Sequence, residues 1–465
     1  MADSTHKTVA VIGGGISGLV CAYRLHRLGM QVTLLEESSR AGGLIGSVER
    51  DGFLCESGPQ SVQGTVALMD LIRELGIEGE LCIADPRAPR FVLRHGRLRK
   101  VPLSPQALLT SSLLGVGSRW RLFSEAFRTT RPPKQDESVA DFVRRKFGHE
   151  ILEYLVAPFV SGVYAGDPEK LSLRAAFPSI EEWEREHGSV LRGAMKSRPA
   201  EKRRERPPSL CSFRRGLETL TNALASKLGP GARTGARASA INRKAANGEE
   251  GYEVHLTRDG GQETILAQAV VLATPAYVAS RLVAPVSPPL AQTLSGVAYA
   301  PVAVVAAGYY TRQAGTPVEG FGVLIPRVEK LRTLGTVWNS SLFPGRAPVG
   351  KMLMTSFAGG ATDPELPQKP DQEIAAIVEQ ENARILEIAG APIASAVWKH
   401  PRALPQYNLG HGHVVRAIRE GEDALPGLFF AGNYLKGPAV GKCVEQALET
   451  AEAVHAYLQD GRQNR

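Results

Sequence analysis

TVAVIGGGISGLVCAYRLHRLGMQVTLLE, residues 8–36, reads as one βαβ unit, and the rest of the chain is placed from it. Residues 8–13 form a short apolar run suited to a fully buried strand. Gly13, Gly15 and Gly18 follow at G-x-G-x-x-G spacing, an amphipathic helix runs from about 17 to 28, and Gly29 is placed to stop it. A second buried strand, 31–36, ends on a carboxylate. Each glycine has a physical role: Gly13 allows the tight turn, Gly15 lets backbone approach a pyrophosphate, and Gly18 lets helix and strand pack closely. With Gly14, Ile16 and Ser17 they form a turn whose helix N-terminus offers free N–H groups and a positive dipole end to phosphate. Glu36 can accept hydrogen bonds from a ribose. Glycine-rich turns alone are common; strand, glycines, helix, strand and acid in this order point to a dinucleotide.

The chain has 465 residues, enough for two or three domains. A net charge of +8 permits anionic lipid or acidic ligands. Nucleic acid is disfavoured, because the basic residues are scattered and the one dense run, RPAEKRRER (198–206), reads as a solvated linker beside prolines. Cys21, Cys55, Cys82, Cys211 and Cys443 form no C-x-x-C pair, so they read as small buried hydrophobes in a reducing, cytoplasmic compartment. The polar start MADSTHKT leads straight into the first strand, with no signal peptide expected.

Downstream segments keep returning to the same ligand. Arg40, Gly42 and Gly43 sit in a loop able to fold back over the pyrophosphate, a first hint of FAD in preference to NAD. ESGPQS (56–61) is a turn at a strand end, and FVLRHGRLRKVP (91–102) is a hairpin about His95-Gly96 with Arg90 just before it. In the helical stretch 103–131 the mostly apolar run QALLTSSLLGVG, about a dozen residues, is too short to span a bilayer, which needs ~18 residues. It either lies in a membrane interface or packs on the protein's own core. Residues 138–157 read as a helix capped by Ser138 and ended by Pro158. Strands at 236–243, 252–257 and 267–276 follow, then long strands from 288 onward with one helix at 371–389. The C-terminal LPGLFFAGNYLKGPAVGKC brings Gly432 and Asn433 at a strand end and a helix starting near Val440. A nicotinamide domain has no need of this second element. An FAD stretched across the sheet does.

These stretches resemble the FAD-dependent amine-oxidase and desaturase superfamily at both chain ends. In the middle the chain is similar to the protoporphyrinogen oxidase family, through ESGPQS, SGVYAGDPEKLSLRAAFPS, GFGVLIPR, LPQYNLGH and NYLKGPAVGKC. The resemblance implies an α/β (mixed α+β) fold: a Rossmann-like FAD domain from 1–86, 207–286 and 420–465, an inserted helical, membrane-docking domain at 87–206, and a mixed-sheet substrate domain at 287–419. It implies that Gly13 through Gly18, Glu36, Glu37, Arg40, Gly43 and Leu44 line the adenosine and pyrophosphate. Gly58, Pro59, Gln60 and Ser61 would lie near the flavin. Ala238 stands where the family usually has a valine whose backbone meets adenine. Gly432, Asn433, Pro438, Ala439 and Val440 would hold the flavin end. For substrate it implies Arg90 on a propionate, Leu324 and Phe343 about a pyrrole ring, and Gly162 as a backbone contact. Gly412 replaces a tryptophan that some members carry after LGH.

The family oxidises a porphyrinogen with one FAD and dioxygen, giving porphyrin and hydrogen peroxide. No Ser-His-Asp set, metal cluster or second G-x-G-x-x-G for NADPH is evident in the sequence, which leaves the chemistry to a flavin, and no catalytic acid or base is assigned. The expected partners are therefore a porphyrinogen and dioxygen, with a peripheral membrane contact; a homodimer and hand-off to a ferrochelatase are compatible. Three alternatives stand beside this reading: coproporphyrinogen III oxidation, a flavin amine oxidase or carotenoid desaturase, and a prenyl-protein carrier that has the fold without FAD.

Overall fold

The computed structural model describes residues 7–102, 107, 111–196, 208, 210–246 and 249–460. The basic run 198–206 and most of 103–110, which opens the apolar stretch, lie outside them.

Five parallel strands make the first sheet, in the order Leu428–Phe430, Ala269–Leu272, Thr8–Ile12, Gln31–Leu35 and Ala232–Arg233. A parallel sheet is covered on both faces, so its strands must be apolar on both sides. Val9, Ala10, Val11 and Ile12 are accordingly no more than 4% exposed. Val9 and Val11 face the helices Ile16–Arg27 and Val440–Asp460, packed through Val20, Val444 and Ala447. Ala10 and Ile12 face the opposite layer, with Ala276–Val283. Thr8–Ile12 lies between Gln31–Leu35, the next strand of the sheet in the chain, and Ala269–Leu272, which arrives from far downstream. The crevice beyond its carboxyl end is therefore the switch point where such sheets take ligands.

A seven-stranded mixed sheet forms the second body: Ala394–Pro405, Tyr299–Tyr310, Lys351–Gly359, Thr333–Val337, Gly322–Leu324, Arg90–Arg94 and Arg97–Lys100. All neighbours are antiparallel except Gly322–Leu324 with Arg90–Arg94, which run parallel. The sequence division put the hairpin with the helices. It belongs to this sheet instead, because Gly322, Val323 and Leu324 take Arg90, Phe91 and Val92 as partners. At its turn both central residues have positive φ, 52° at His95 and 71° at Gly96. That conformation suits a tight hairpin. Glu329 accepts hydrogen bonds from the N–H of His95 (2.7 Å) and of Gly96 (3.0 Å), so the turn is tied to the sheet it joins.

Helices Val116–Glu125, Val139–Lys146 and Ala157–Tyr164 pack together, and the last of them lies against the sheet at Leu324. Ser138 caps as expected, its Oγ accepting from Asp141 N at 3.0 Å. The expected stop at Pro158 does not occur. The break comes earlier, at Gly148 (φ 92°), and the chain then winds without interruption from His149 to Tyr164 through a π-wound segment, Leu152–Val156. The wider winding changes the hydrogen-bond partners around a proline that donates none, so the helix passes through it. A buried charge cluster fixes these helices together. Lys146 Nζ lies 2.8 Å from Glu125 and 3.4 Å from Glu184, side chains 2%, 1% and 0% exposed. Glu125 also accepts from Ser189 Oγ and from the N–H groups of Val190 and Leu191. All five cysteines are free and buried, and burial pushes the Cys21 thiol up to about 12.

Candidate active site

At the switch point three separated segments meet. Gly13 has φ 108° and an added Cβ there would lie 2.7 Å from the Ala273 carbonyl oxygen; one at Gly18 would lie 1.8 Å from the Gly13 oxygen. Neither position admits another residue, so strand and helix pack backbone to backbone. A Cβ at Gly15 would meet no atom within 4 Å, which leaves the middle glycine facing open space. The second glycine pair folds onto it: Gly42 N donates to Gly14 O at 2.7 Å, and a Cβ at Gly43 would lie 3.1 Å from Gly15 Cα. Arg40 holds that loop's shape through Ile45 O (2.8 Å) and Gly43 O (3.0 Å), so its guanidinium braces the loop from within.

Glu36 accepts from Gly14 N at 2.7 Å and from Ser38 N at 2.8 Å. The strand carrying Ala238 lies alongside, with Ala236 N donating to Glu36 O at 2.8 Å and Arg237 paired with Glu37 at 3.3 Å. The pairing register slips between Ala238 and Ala240, a bulge that leaves backbone groups at this position outside the ladder. From the far end of the chain, Val440–Asp460 sets its N-terminus beside that of Ile16–Arg27. The Ser17 hydroxyl contacts Cys443, whose thiol burial pushes up to about 11. Tyr407 ties this end down, donating to Asn433 O at 2.6 Å and accepting from Gly437 N at 2.7 Å. Sequence reading passed over Tyr407, although it lies inside LPQYNLGH. It also missed Thr274, whose Oγ1 is buried next to Gly13 and has no hydrogen-bond partner among the described residues. Two converging helix ends, an open backbone cradle and an orphaned buried hydroxyl fit a dinucleotide pyrophosphate.

The loop 56–61 joins this cradle to the mixed sheet. A Cβ at Gly58 would lie 2.0 Å from Leu44 O, which fixes the two loops against each other. Gln60 is turned inward, donating to Glu56 O and Gly58 O while Asn339 donates to its carbonyl oxygen at 2.7 Å. Glu56 and Arg346, each 1% exposed, form a 2.7 Å ion pair. Ser47 Oγ and Leu217 N complete the carboxylate's shell at 2.5 and 3.0 Å. Burial nonetheless raises the Glu56 pKa, with Arg346 the main opposing influence.

On the mixed sheet, Arg90 and Leu324 come from adjacent strands. The Arg90 guanidinium lies 5.4 Å from the Phe321 ring centre and has no ion pair among the described residues. Gly162 faces Leu324 so closely that an added Cβ would lie 2.8 Å from Leu324 Cδ2. Phe343 is not on this surface. It is 2% exposed and packs with Cys82, Ala84 and Leu342, behind Phe321. Phe343 follows the short helix Asn339–Leu342, which turns its ring into that cluster; Phe321 is the aromatic that Arg90 covers. An added Cβ at Gly412 would meet no atom within 4 Å.

A nucleotide cradle completed by the far end of the chain, next to a mixed sheet carrying an unpaired arginine, defines a two-body flavoprotein. The family model for flavin containing amine oxidoreductases matches residues 16–455. The chain is 36% identical to the chloroplastic protoporphyrinogen oxidase of Nicotiana tabacum, over 96% of this chain and 85% of that one. It is 27% identical to the coproporphyrinogen III oxidase of Bacillus subtilis, over 97% and 98%. A crystal structure from Exiguobacterium, provisionally assigned as a protoporphyrinogen oxidase, superposes with a TM-score of 0.80 at 25% identity, covering 97% of this chain and 99% of that one. The chain belongs to the flavin-containing amine oxidoreductase family, in its protoporphyrinogen oxidase branch. It is an FAD-dependent oxidoreductase.

Proposed function

We propose that the protein oxidises protoporphyrinogen IX to protoporphyrin IX, a six-electron change, with dioxygen as acceptor and hydrogen peroxide as product. What carries the reading is Arg90: a cation stacked on Phe321 without an ion-pair partner among the described residues, one strand from the apolar Leu324, which Gly162 faces. A porphyrinogen is a broad apolar ring fringed by carboxylates, and it needs an apolar surface with a cation beside it. Bound FAD supplies the two-electron acceptor. The chain's own residues do the rest. Gly13 to Gly18, Glu36, Glu37, Ala238, Gly43, Leu44, Gly58 to Ser61, Gly432, Asn433 and Pro438 to Val440 hold the cofactor, Arg40 shapes its loop, and Arg90 with Leu324 orients the ring.

The test is an aerobic fluorescence assay with protoporphyrinogen IX and coproporphyrinogen III side by side, following peroxide. Fast porphyrin formation from the first, with peroxide in step, is expected; preference for the second would move the enzyme to the tetracarboxylate substrate. Arg90→Ala should raise KM more than tenfold, on the order of one charge-assisted hydrogen bond, with FAD retained. An unchanged KM would remove Arg90 from the site.

The same reading includes a peripheral membrane contact. No helix among the described residues is long and apolar enough to cross a membrane. Val116, Trp120, Phe123 and Phe127 nevertheless follow one another at helical spacing, 75%, 68%, 44% and 73% exposed. An apolar strip of this kind beside arginines suits a headgroup interface. Co-sedimentation with anionic vesicles should be lost in a Trp120→Ser/Phe123→Ser variant; equal binding by that variant would sink the idea.

A further inference from the structure

The hairpin Arg90–Arg94 and Arg97–Lys100 carries four arginines on one face, and three of them are accounted for. Partners across the strands share a face, so Val92 opposite Arg99 and Arg94 opposite Arg97 point the same way, as does Arg90, whose carbonyl accepts from Val101 N at 2.8 Å. That face is the one Leu324 shares, because Val92 packs with Leu324, Leu113 and Tyr154. Arg94 is neutralised there by Glu150 at 2.6 Å and lies 4.6 Å from the Tyr154 ring centre. Arg97 is exposed to solvent. Arg90 is assigned above to a carboxylate. Arg99 is left: only partly exposed, its Nε buried, with neither hydrogen bond nor ion pair among the described residues.

A buried guanidinium nitrogen without an acceptor is unfavourable unless an acceptor arrives with a ligand. Arg99 sits diagonally across the ladder from Arg90, which places the two backbones roughly 7–8 Å apart with both side chains on the face of Val92. We propose that Arg99 is the second carboxylate-binding residue of the site. It takes the propionate on the pyrrole next to the one whose propionate pairs with Arg90. The inference rests on the porphyrinogen reading and deepens it: two cations on one edge suit a ring with two neighbouring propionates.

The experiment compares wild type, Arg99→Gln and Arg99→Lys as FAD-loaded full-length proteins, on protoporphyrinogen IX and on its dimethyl ester. Arg99→Gln should raise KM for the diacid about tenfold or more and leave kcat within about twofold, while KM for the diester, which has no carboxylate to lose, stays at its wild-type value. Arg99→Lys should restore most of the diacid affinity, and it remains informative if the glutamine variant fails to fold. An unchanged diacid KM, or an equal rise for acid and ester, would overturn the proposal and leave the porphyrinogen reading standing. A wild-type enzyme inert towards protoporphyrinogen would overturn both.

Discussion

Arg346→Met removes one half of the buried pair that joins the loop 56–61 to the mixed sheet. Glu56 then keeps Ser47 and Leu217 as donors but loses its counter-charge at 2.7 Å, in a place where it is 1% exposed. Breaking such a pair from one side costs about 3–5 kcal/mol. Protonation of Glu56 sets a ceiling. For a carboxyl with an ordinary pKa near 4.3, taking up a proton costs about 5 kcal/mol at pH 8 and about 2.3 kcal/mol at pH 6. The sign follows from the direction of the shift. Burial already raises the Glu56 pKa, and without Arg346 it rises further, so stability is kept at low pH and lost as pH climbs past the ordinary carboxylate range. Urea unfolding followed by flavin release should show a deficit of about 3–5 kcal/mol at pH 8 that shrinks to about 2 kcal/mol at pH 6. Glu56→Gln/Arg346→Met should recover much of it. A deficit below about 1 kcal/mol at pH 8, or one independent of pH, would refute the account.

Gly18→Ala drives a Cβ to within 1.8 Å of the Gly13 oxygen, so the variant should purify without visible flavin absorbance; a fully yellow protein would contradict the packing. In the helical body, burial alone would raise the Glu125 pKa, but hydrogen bonds from Lys146, Ser189 and the Val190 and Leu191 N–H groups outweigh it and hold the group below its usual value. That stability is present above the ordinary glutamate pKa and lost as pH falls through the depressed one. Hydrogen-exchange protection in residues 139–164, taken relative to the intrinsic rate at each pH, should therefore fall below about pH 4, and a fall already between pH 7 and pH 5 would place the sensitivity elsewhere.

What the sequence made legible was local. Gly13, Gly15 and Gly18 are dictated by a turn a few residues long, and the His95-Gly96 hairpin by its own turn chemistry; both are found where the spacing put them. Residues that work across long separations were not legible. The parallel pairing of Arg90 with Gly322 spans more than two hundred positions and leaves no mark in either segment, so the hairpin was assigned to the wrong neighbour. Glu56 and Arg346 show the same blindness, as do the inward turn of Phe343 and the tie from Tyr407 to Asn433. Pro158 misled for another reason: the rule that proline ends a helix supposes α winding, and here the winding is wider.

The π-wound segment also bears on how this chain can change. A π turn holds one residue more than an α turn, so everything after it is rotated by about a hundred degrees relative to an uninterrupted helix. Gly162, which presses on Leu324, lies six positions beyond Val156 and owes its direction to that extra residue. Deleting one residue from 152–156 would leave the composition and the helix almost untouched, yet it would swing Gly162 away from Leu324. Length in this short segment is therefore under tighter constraint than the identity of any side chain in it.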